Sequence, residues 1–563
     1  MGNERNCTCI DVAFINGSVI TINEKDEIAE AVGIKDNKIV FVGSTEDLTE
    51  IIDQKTKIID LEGKSLVPGF IDSHFHPILK GLFGDDEDSS IINTSYDNCH
   101  SIEDILKFVR KAAKKRGPGA WISMMGYDQN SILEKRHITL EELDQAAPDN
   151  PVQCMRNCGH ICIYNSKALE TIGIFNVQDA KKYPPNEIVV ENGKLTGMVK
   201  DHTHFLVWSK VVYTEEQQVR AAMKSNDMLL KNGITSVHDA GEFLALSYKI
   251  MQKLCRERKF KPREYMMIHD VYGKHFAIEE NEHLFALGLL TGLGNEYCRL
   301  GSSKFMIDGG TSGPSCATRE PYSHDPDMPG ILAWKREEVR EYIRKINDAD
   351  CQATAHAVGD LAIEFMVEGY EHAFRTNPRP EARHRIEHCA ITDLDLIQRM
   401  ARMNICPTCN PGFIAWNGSN YTRYYGDRMK YFMALRTMID EGVNVSIASD
   451  SPSGPVEPIA IIDAAVNRID RVTGIQTDPT QAITVMEAIR LSTLNGAYNS
   501  YEEQIKGSIE TGKMADLVVL SKDILKIPKE NILDVEIQMT MIDGKIEYEQ
   551  TDGKIKYEQT YGK

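Results

Sequence analysis

Gly69-Phe70-Ile71-Asp72-Ser73-His74-Phe75-His76 is the stretch that decides the fold. It ends the longer apolar run LVPGFIDSHFH (66–76), and on a strand residues two apart point the same way, so His74 and His76 aim both imidazoles at one place. Two histidines flanking a phenylalanine can be ordinary core residues. The Pro-Gly-Phe-Ile-Asp lead-in and the H-x-H spacing suit a shared metal ion better.

Seven more apolar runs follow: ITSVHDAG (234–241), PREYMMIHD (262–270), SSKFMIDGG (302–310), CQATAHAVGD (351–360), RHRIEHCA (383–390), NICPTCNP (404–411) and NVSIASDSP (444–452). Helical stretches separate them. KREEVREYIRKINDAD (335–350) sets Val339, Ile343 and Ile346 at spacings of four and three, and TVMEAIRLSTLNGAY (484–498) is a second such helix. Eight strand-like runs alternating with helices predict an α/β fold, a (β/α)8 TIM-like barrel.

Around the barrel the ends match each other. VAFINGSVITI and AEAVGIKDNKIVFVG near the N-terminus, with turns at Asn16-Gly17 and Asp36-Asn37, are echoed by MADLVVLS (514–521) and VEIQMTMIDGKIEYE (535–549). Residues 1–65 and 501–563 are therefore expected to pair into one small β-sandwich domain, with the barrel spanning 66–500. The segment 77–232 is too long for one βα connection. It holds a helix, SIEDILKFVRKAAKKRG, and a hairpin, NEIVVENGKLTGMV, and an insertion after barrel strand 1 emerges on the catalytic face, so a lid or substrate-shaping subdomain is expected. The ends DGKIEYEQT and DGKIKYEQT form a short tail duplication.

Three later residues share the setting of the H-x-H pair. His356 ends CQATAH, His388 ends RHRIEH and Asp450 ends NVSIASD, each where a strand meets its loop. Taken singly, each is an ordinary core or loop residue; taken in order with His74 and His76, coincidence is a poor account. Imidazoles with a carboxylate suit zinc, manganese or iron(II) alike.

The bulk properties narrow the partners. A net charge of −19 over 563 residues, with no acidic tail, disfavours nucleic acid and anionic membranes and favours a small neutral or cationic substrate. No apolar run is long enough to span a bilayer, no secretory signal is visible, and Asn6 stands where a myristoylation site at Gly2 would need Ser or Thr, so a cytoplasmic protein is expected. Thirteen irregularly spaced cysteines fit a reducing compartment. Cys406-Pro-Thr-Cys409 lacks a second pair for a zinc site; it is expected as buried thiols, as are Cys7, Cys9, Cys154, Cys158 and Cys162.

These motifs, with GYDQN (126–130), GITSVHDAG (233–241), KFMIDGG (304–310), HAVGD (356–360), RIEH (385–388), SDSP (449–452) and GSIETGKMADLVVL (507–520), cover nearly the whole chain. Together they resemble the amidohydrolase superfamily, and within it the amidohydrolase family 3 branch that includes N-substituted formamide deformylase-like enzymes. The resemblance implies a metal-dependent hydrolase that cleaves a non-peptide C–N bond, whether amide, N-formyl or N-acyl. It implies one or two divalent ions, zinc first among them, on His74, His76, His356 and His388. Asp450 matches the aspartate that binds metal and acts as general base and acid. Lys304 opens KFMIDGG, where relatives often carry a lysine carbamate bridging two metals; an ammonium beside a dication would be repelled, whereas a carbamate is an anionic oxygen ligand. Similar proteins are often homodimers or larger assemblies.

Other positions are weaker. His238 and His269 end the second and third runs and face either substrate or a loop. Tyr127, Asp128, Arg156 and His160, in the insertion, either shape the pocket or pack the lid. Asp308 and Gly309-Gly310 let a loop approach the site, since glycine tolerates unusual backbone angles. Asp360 is expected to orient a ligand. His202-Thr-His204, a second H-x-H, lies off the barrel. Two alternatives stand beside the amide hydrolase: a deaminase or cyclic-amide hydrolase of the same superfamily, and a non-catalytic scaffold relative. Deaminases similar to this chain place a Glu three residues after the fifth-strand histidine; here that residue is Gly359.

Overall fold

The computed structural model describes residues 10–241, 245–269, 278–328, 330–550 and 557–558. The eight apolar runs lie side by side in one parallel sheet: β1 (Phe70–Phe75), β2 (Ile234–Asp239), β3 (Arg263–His269), β4 (Cys298–Met306), β5 (Ala353–Ala357), β6 (Arg385–His388), β7 (Cys406–Cys409) and β8 (Ser446–Ile447). Such strands are buried on both faces, so their apolar residues are not confined to alternate positions, and the polar ones they carry, such as Arg385 and Glu387, are paired within the barrel.

The seam between β8 and β1 is held by the loop after β8. The Asp450 N–H donates to the His74 carbonyl at 2.9 Å, while Asp72 accepts from the Ser449 N–H at 3.1 Å and from Ser449 Oγ at 2.5 Å. The aspartate of the opening motif is thus a barrel fastener, and burial pushes its pKa up to about 6.

The run 66–76 contains two strands, not one. Ser65–Pro68 belongs to the terminal β-sandwich and only β1 to the barrel. The chain changes sheets at Gly69, whose N–H donates to the Asp516 carbonyl at 2.8 Å and where a Cβ would stand 2.2 Å from Thr235 Oγ1. The Pro-Gly pair marks the crossing, because only glycine fits there.

Helix Arg336–Asp348 buries Val339, Ile343 and Ile346 on one face and sets Glu337 and Glu338 in its first turn, where they complement the helix dipole. The stretch 484–498 differs from its expected single helix: it forms Val485–Leu491 and Leu494–Asn499. At the break the Ser492 carbonyl accepts from the Ile71 N–H of β1 at 2.7 Å, and Gly496 lies against the Ile71 side chain.

The β-sandwich joins the two ends of the chain. Ser65–Pro68 pairs antiparallel with Leu517–Leu520, and Phe14, Val19, Ile34, Leu66, Leu517 and Met539 share one core. At Asn16-Gly17 the chain passes from one sheet to the other instead of forming a hairpin, whereas Asp36-Asn37 joins Ala31–Lys35 to Lys38–Gly43 directly. Gly2, Cys7, Cys9 and most of the second copy of the tail repeat lie outside the described residues.

Between β1 and β2 the chain builds a seven-stranded mixed sheet with its own core, including Ile105, Val109, Met124 and Leu143. Helix Ile102–Arg116 is capped by Ser101, which accepts from the Asp104 N–H, and ends at Gly117 with φ 81°. The expected hairpin is Ile188–Glu191 paired with Lys194–Lys200 across Asn192-Gly193. Among the described residues no helix is long and apolar enough to cross a membrane.

Candidate active site

His74, next to last in β1, and His76, just past its end, both reach the C-terminal mouth of the barrel. His74 Nε2 lies 3.4 Å and His76 Nε2 3.5 Å from Asp450 Oδ1, and the three residues offer donor atoms that all fall within 4.8 Å of one another. His388 joins them with its ring 4.8 Å from that of His74, and His356 stands 4.5 Å from His388. The five residues singled out from scattered strand ends therefore share one centre.

Two of them hold left-handed backbone, His388 at φ 70° and Asp450 at φ 54°. Alternation along β6 would turn His388 away from the face shown by Arg385 and Glu387; the positive φ at the strand end changes that direction. Non-glycine residues in this region cluster at functional sites.

Each imidazole is oriented from behind. His74 Nδ1 donates to Glu387 Oε2 at 2.6 Å, His76 Nδ1 to the Gly241 carbonyl at 3.1 Å and His388 Nδ1 to Asn410 Oδ1 at 2.8 Å, leaving their Nε2 atoms toward the centre. His356 is reversed: its Nε2 donates to the Gly309 carbonyl at 3.2 Å, which leaves Nδ1. Burial holds the pKa values of His74, His356 and His388 below the ordinary imidazole value, so these rings are neutral with a free lone pair. Burial opposes ionisation of Asp450, but His76 beside it and the other imidazoles around it outweigh burial and hold the carboxyl well below its usual range.

Lys304, on β4, reaches the same place. Its Nζ is 3.2 Å from His74 Nε2, and burial pushes its pKa down to about 8.

The weaker candidates separate. His160 lines the centre, its ring 5.0 Å from that of His356; burial disfavours its charge, but Nδ1 donates to Asp201 Oδ1 at 2.9 Å and the net shift is upward. His269 also faces the cavity, and among the described residues neither ring nitrogen has a hydrogen-bond partner. His238 does not reach the mouth: it is fully buried inside the barrel, where Nδ1 accepts from Arg385 Nη1 at 2.8 Å. Tyr127 is buried in the core of the insertion with its hydroxyl 2.9 Å from His137 Nδ1. Arg156 is fully buried and donates to Asp128, Gln129 and Ser312, so it and Asp128 brace the loop after β4 from behind.

Asp308 likewise acts through loops. Its carboxylate accepts from the N–H groups of Ala317, Val358 and Gly359 at 3.0, 3.0 and 2.8 Å, tying the loop after β4 to that after β5, and burial pushes its pKa up to about 7. Asp360 differs from the expectation: among the described residues it orients no histidine but accepts from the Arg319 N–H at 2.9 Å. Gly309 and Gly310 serve by their lack of bulk, not by backbone angle. Neither has a positive φ, yet a Cβ would come within 2.3 Å of Ser315 Oγ at Gly309 and 3.1 Å of the His160 ring at Gly310. His204 bonds Tyr164 and stacks on Trp208 away from the centre, and the His202 side chain lies outside the described residues. Cys406 and Cys409 are free and buried.

Glu387, Arg385 and Asn410 escaped the sequence reading. Glu387 sits fully buried between Arg385 Nε at 2.9 Å and Thr354 Oγ1 at 2.7 Å, with His74 on its other oxygen. The local signal is a pair of opposite charges two apart in a four-residue strand; it does not say which imidazole Glu387 meets.

Two cavities meet at this centre. One opens on His74, His76, Lys304, His269 and the apolar Phe205, Trp208 and Met306; the other runs toward Phe413, Tyr421 and Met433.

Residues 57–548 match the amidohydrolase family model. The Bacillus subtilis protein YtcJ is 30% identical over 94% of this chain and 97% of its own length. The N-substituted formamide deformylase of Arthrobacter pascens is 28% identical over 95% of this chain and 97% of its own. A crystal structure of an uncharacterized metal-dependent hydrolase from Pyrococcus horikoshii shares the fold, with a TM-score of 0.70 at 24% identity, covering 92% of this chain and 99% of that one.

Proposed function

Because the chain belongs to the amidohydrolase family and is a hydrolase of carbon–nitrogen bonds, we propose that it cleaves a non-peptide amide, N-formyl or N-acyl bond, using a divalent metal ion held by His74, His76, His356, His388 and Asp450. The observation that carries this reading is the convergence of His74, His76 and Asp450 donor atoms within 4.8 Å. Imidazoles fixed from behind, those of His74, His356 and His388 neutral, with an ionised carboxylate among them, are the donor set a divalent zinc, manganese or iron ion takes.

A bound ion of this kind lowers the pKa of water from about 16 towards about 7 and polarises a carbonyl oxygen. Asp450 takes the proton of the attacking water and returns it to the departing nitrogen. Lys304, a buried amine whose pKa is near 8, adds to CO₂ with loss of a proton and becomes a carbamate, replacing repulsion of the ion by an anionic oxygen ligand. The intact mass of the purified protein, with and without added bicarbonate, tests that modification.

Deamination is disfavoured by a specific contact. A Cβ on Gly359 would come 1.9 Å from the Ala317 carbonyl oxygen, so the position where related deaminases carry a glutamate has no room for a side chain. Gly359→Ala is expected to lower stability by about 1–3 kcal/mol. An unchanged urea midpoint would mean that the Ala317 loop yields freely, and the argument against a glutamate would lapse.

The function is tested by loading the protein with zinc, manganese or iron(II) and assaying a panel of amides, N-formyl amines, N-acyl amino acids and lactams, with ammonia followed separately. Turnover should disappear with a chelator and return with metal. Full activity in the stripped protein, or ammonia as the product from an aminated ring, would overturn the reading.

A further inference from the structure

The second cavity has a chemistry of its own. Helix Gly412–Tyr425, which follows β7, lines it with Phe413, Asn417 and Tyr421, spaced four apart and so on one face. The Phe413 ring lies 6.5 Å from that of His388 with a 20° interplanar angle, and Val358 and Met433 add further apolar surface. The Tyr421 hydroxyl is paired with Thr311 Oγ1 at 3.3 Å.

Charge is confined to the inner end. Among the described residues, Asp450 is the only Asp, Glu, Lys or Arg lining this cavity. Arg156, behind the Ser312 wall, is fully buried, with Nε, Nη1 and Nη2 already donating to Gln129, Ser312 and Asp128. A carboxylate entering here would lose its water and, beyond His160 and the ion held at the inner end, find no cation to pair with.

We propose that this cavity is the subsite for an uncharged apolar substituent, aryl or branched alkyl, on one side of the scissile bond, so that the substrates are neutral amides rather than N-acyl amino acids or other carboxylate-bearing amides. The inference rests on the amide-hydrolase reading of the same centre.

The metal-loaded full chain is assayed with two matched pairs, N-benzylacetamide against N-acetylglycine and N-methyl-2-phenylacetamide against N-methylsuccinamic acid. In at least one pair kcat/KM should favour the aryl member by about 100-fold or more. Phe413→Ala should cut the kcat/KM ratio of N-benzylacetamide to N-methylacetamide, or of the corresponding phenylacetyl amide to N-methylacetamide, by about 10-fold or more. Should that variant misfold, Met433→Lys, which brings an ammonium into the cavity, should narrow the aryl preference. Equal or better turnover of the carboxylates, or an equal loss on aryl and methyl amides in Phe413→Ala, overturns the proposal. If no amide is turned over, the hydrolase reading fails, and the subsite is judged by calorimetry alone: tighter binding of N-benzylacetamide than of N-acetylglycine, weakened in Phe413→Ala, upholds it, and any other result overturns it.

Discussion

Asp450→Asn is expected to lower kcat by about 10²- to 10⁴-fold while the protein still folds and still takes up metal. Asparagine keeps the shape of the side chain and an oxygen able to face the imidazoles, but it cannot accept and return a proton. Backbone geometry favours this test over alanine. Residue 450 sits at φ 54°, a left-handed conformation that Asp and Asn tolerate better than most residues, so the exchange adds little strain at the seam where the Asp450 N–H meets the His74 carbonyl. Metal content by elemental analysis and kcat on any amide the wild type cleaves are measured side by side. Wild-type turnover in the variant would remove Asp450 from the proton transfer, and loss of metal with loss of activity would recast it as a ligand first.

How much of this site could be read from the chain depends on whether a residue's partner is local. The barrel was legible because strands buried on both faces lack a solvent-facing polar alternation, and eight such strand-like runs alternate with helical stretches. The H-x-H pair was legible because period-two alternation is local. Glu387 was not, since its role exists only once β6 lies across the barrel from β1, which brings together residues 313 apart in sequence. His238 stood open between substrate and a loop for a related reason. Like His269 it stands near a strand end, but its ring points to Arg385 within the barrel, and depth along a strand is not written in a run of apolar letters. The break after Leu491 follows the same rule: the helical period continues through it, and only the diversion of the Ser492 carbonyl to β1 ends the helix. Asp308, beside the Gly309-Gly310 pair, proves to fasten the loops that carry the site, and Asp72 of the opening motif fastens the barrel seam.

Glu387 is where fold and site depend on one another most, and its replacement should separate the two. Its carboxylate receives Arg385 Nε at 2.9 Å and Nη2 at 3.1 Å, Thr354 Oγ1 at 2.7 Å and His74 Nδ1 at 2.6 Å, all of them buried. Arg385 and Lys304 hold it ionised against the strong opposing effect of burial. Glu387→Ala would strand the Arg385 guanidinium without its counter-charge in the barrel interior, so a loss of about 3–5 kcal/mol in the metal-free protein is expected. Glu387→Gln keeps the volume and one acceptor oxygen, which cannot serve Arg385 and His74 together. His74 is then free to rotate or to move its proton to Nε2, the atom that faces Asp450. Metal affinity in Glu387→Gln should therefore fall by about 10- to 100-fold, with a smaller stability loss than in the alanine variant. Urea titration of the stripped proteins and zinc competition against a chelator measure the two effects independently. Wild-type zinc affinity in Glu387→Gln would mean that His74 needs no partner behind it, and the buried charge network would then belong to the barrel alone.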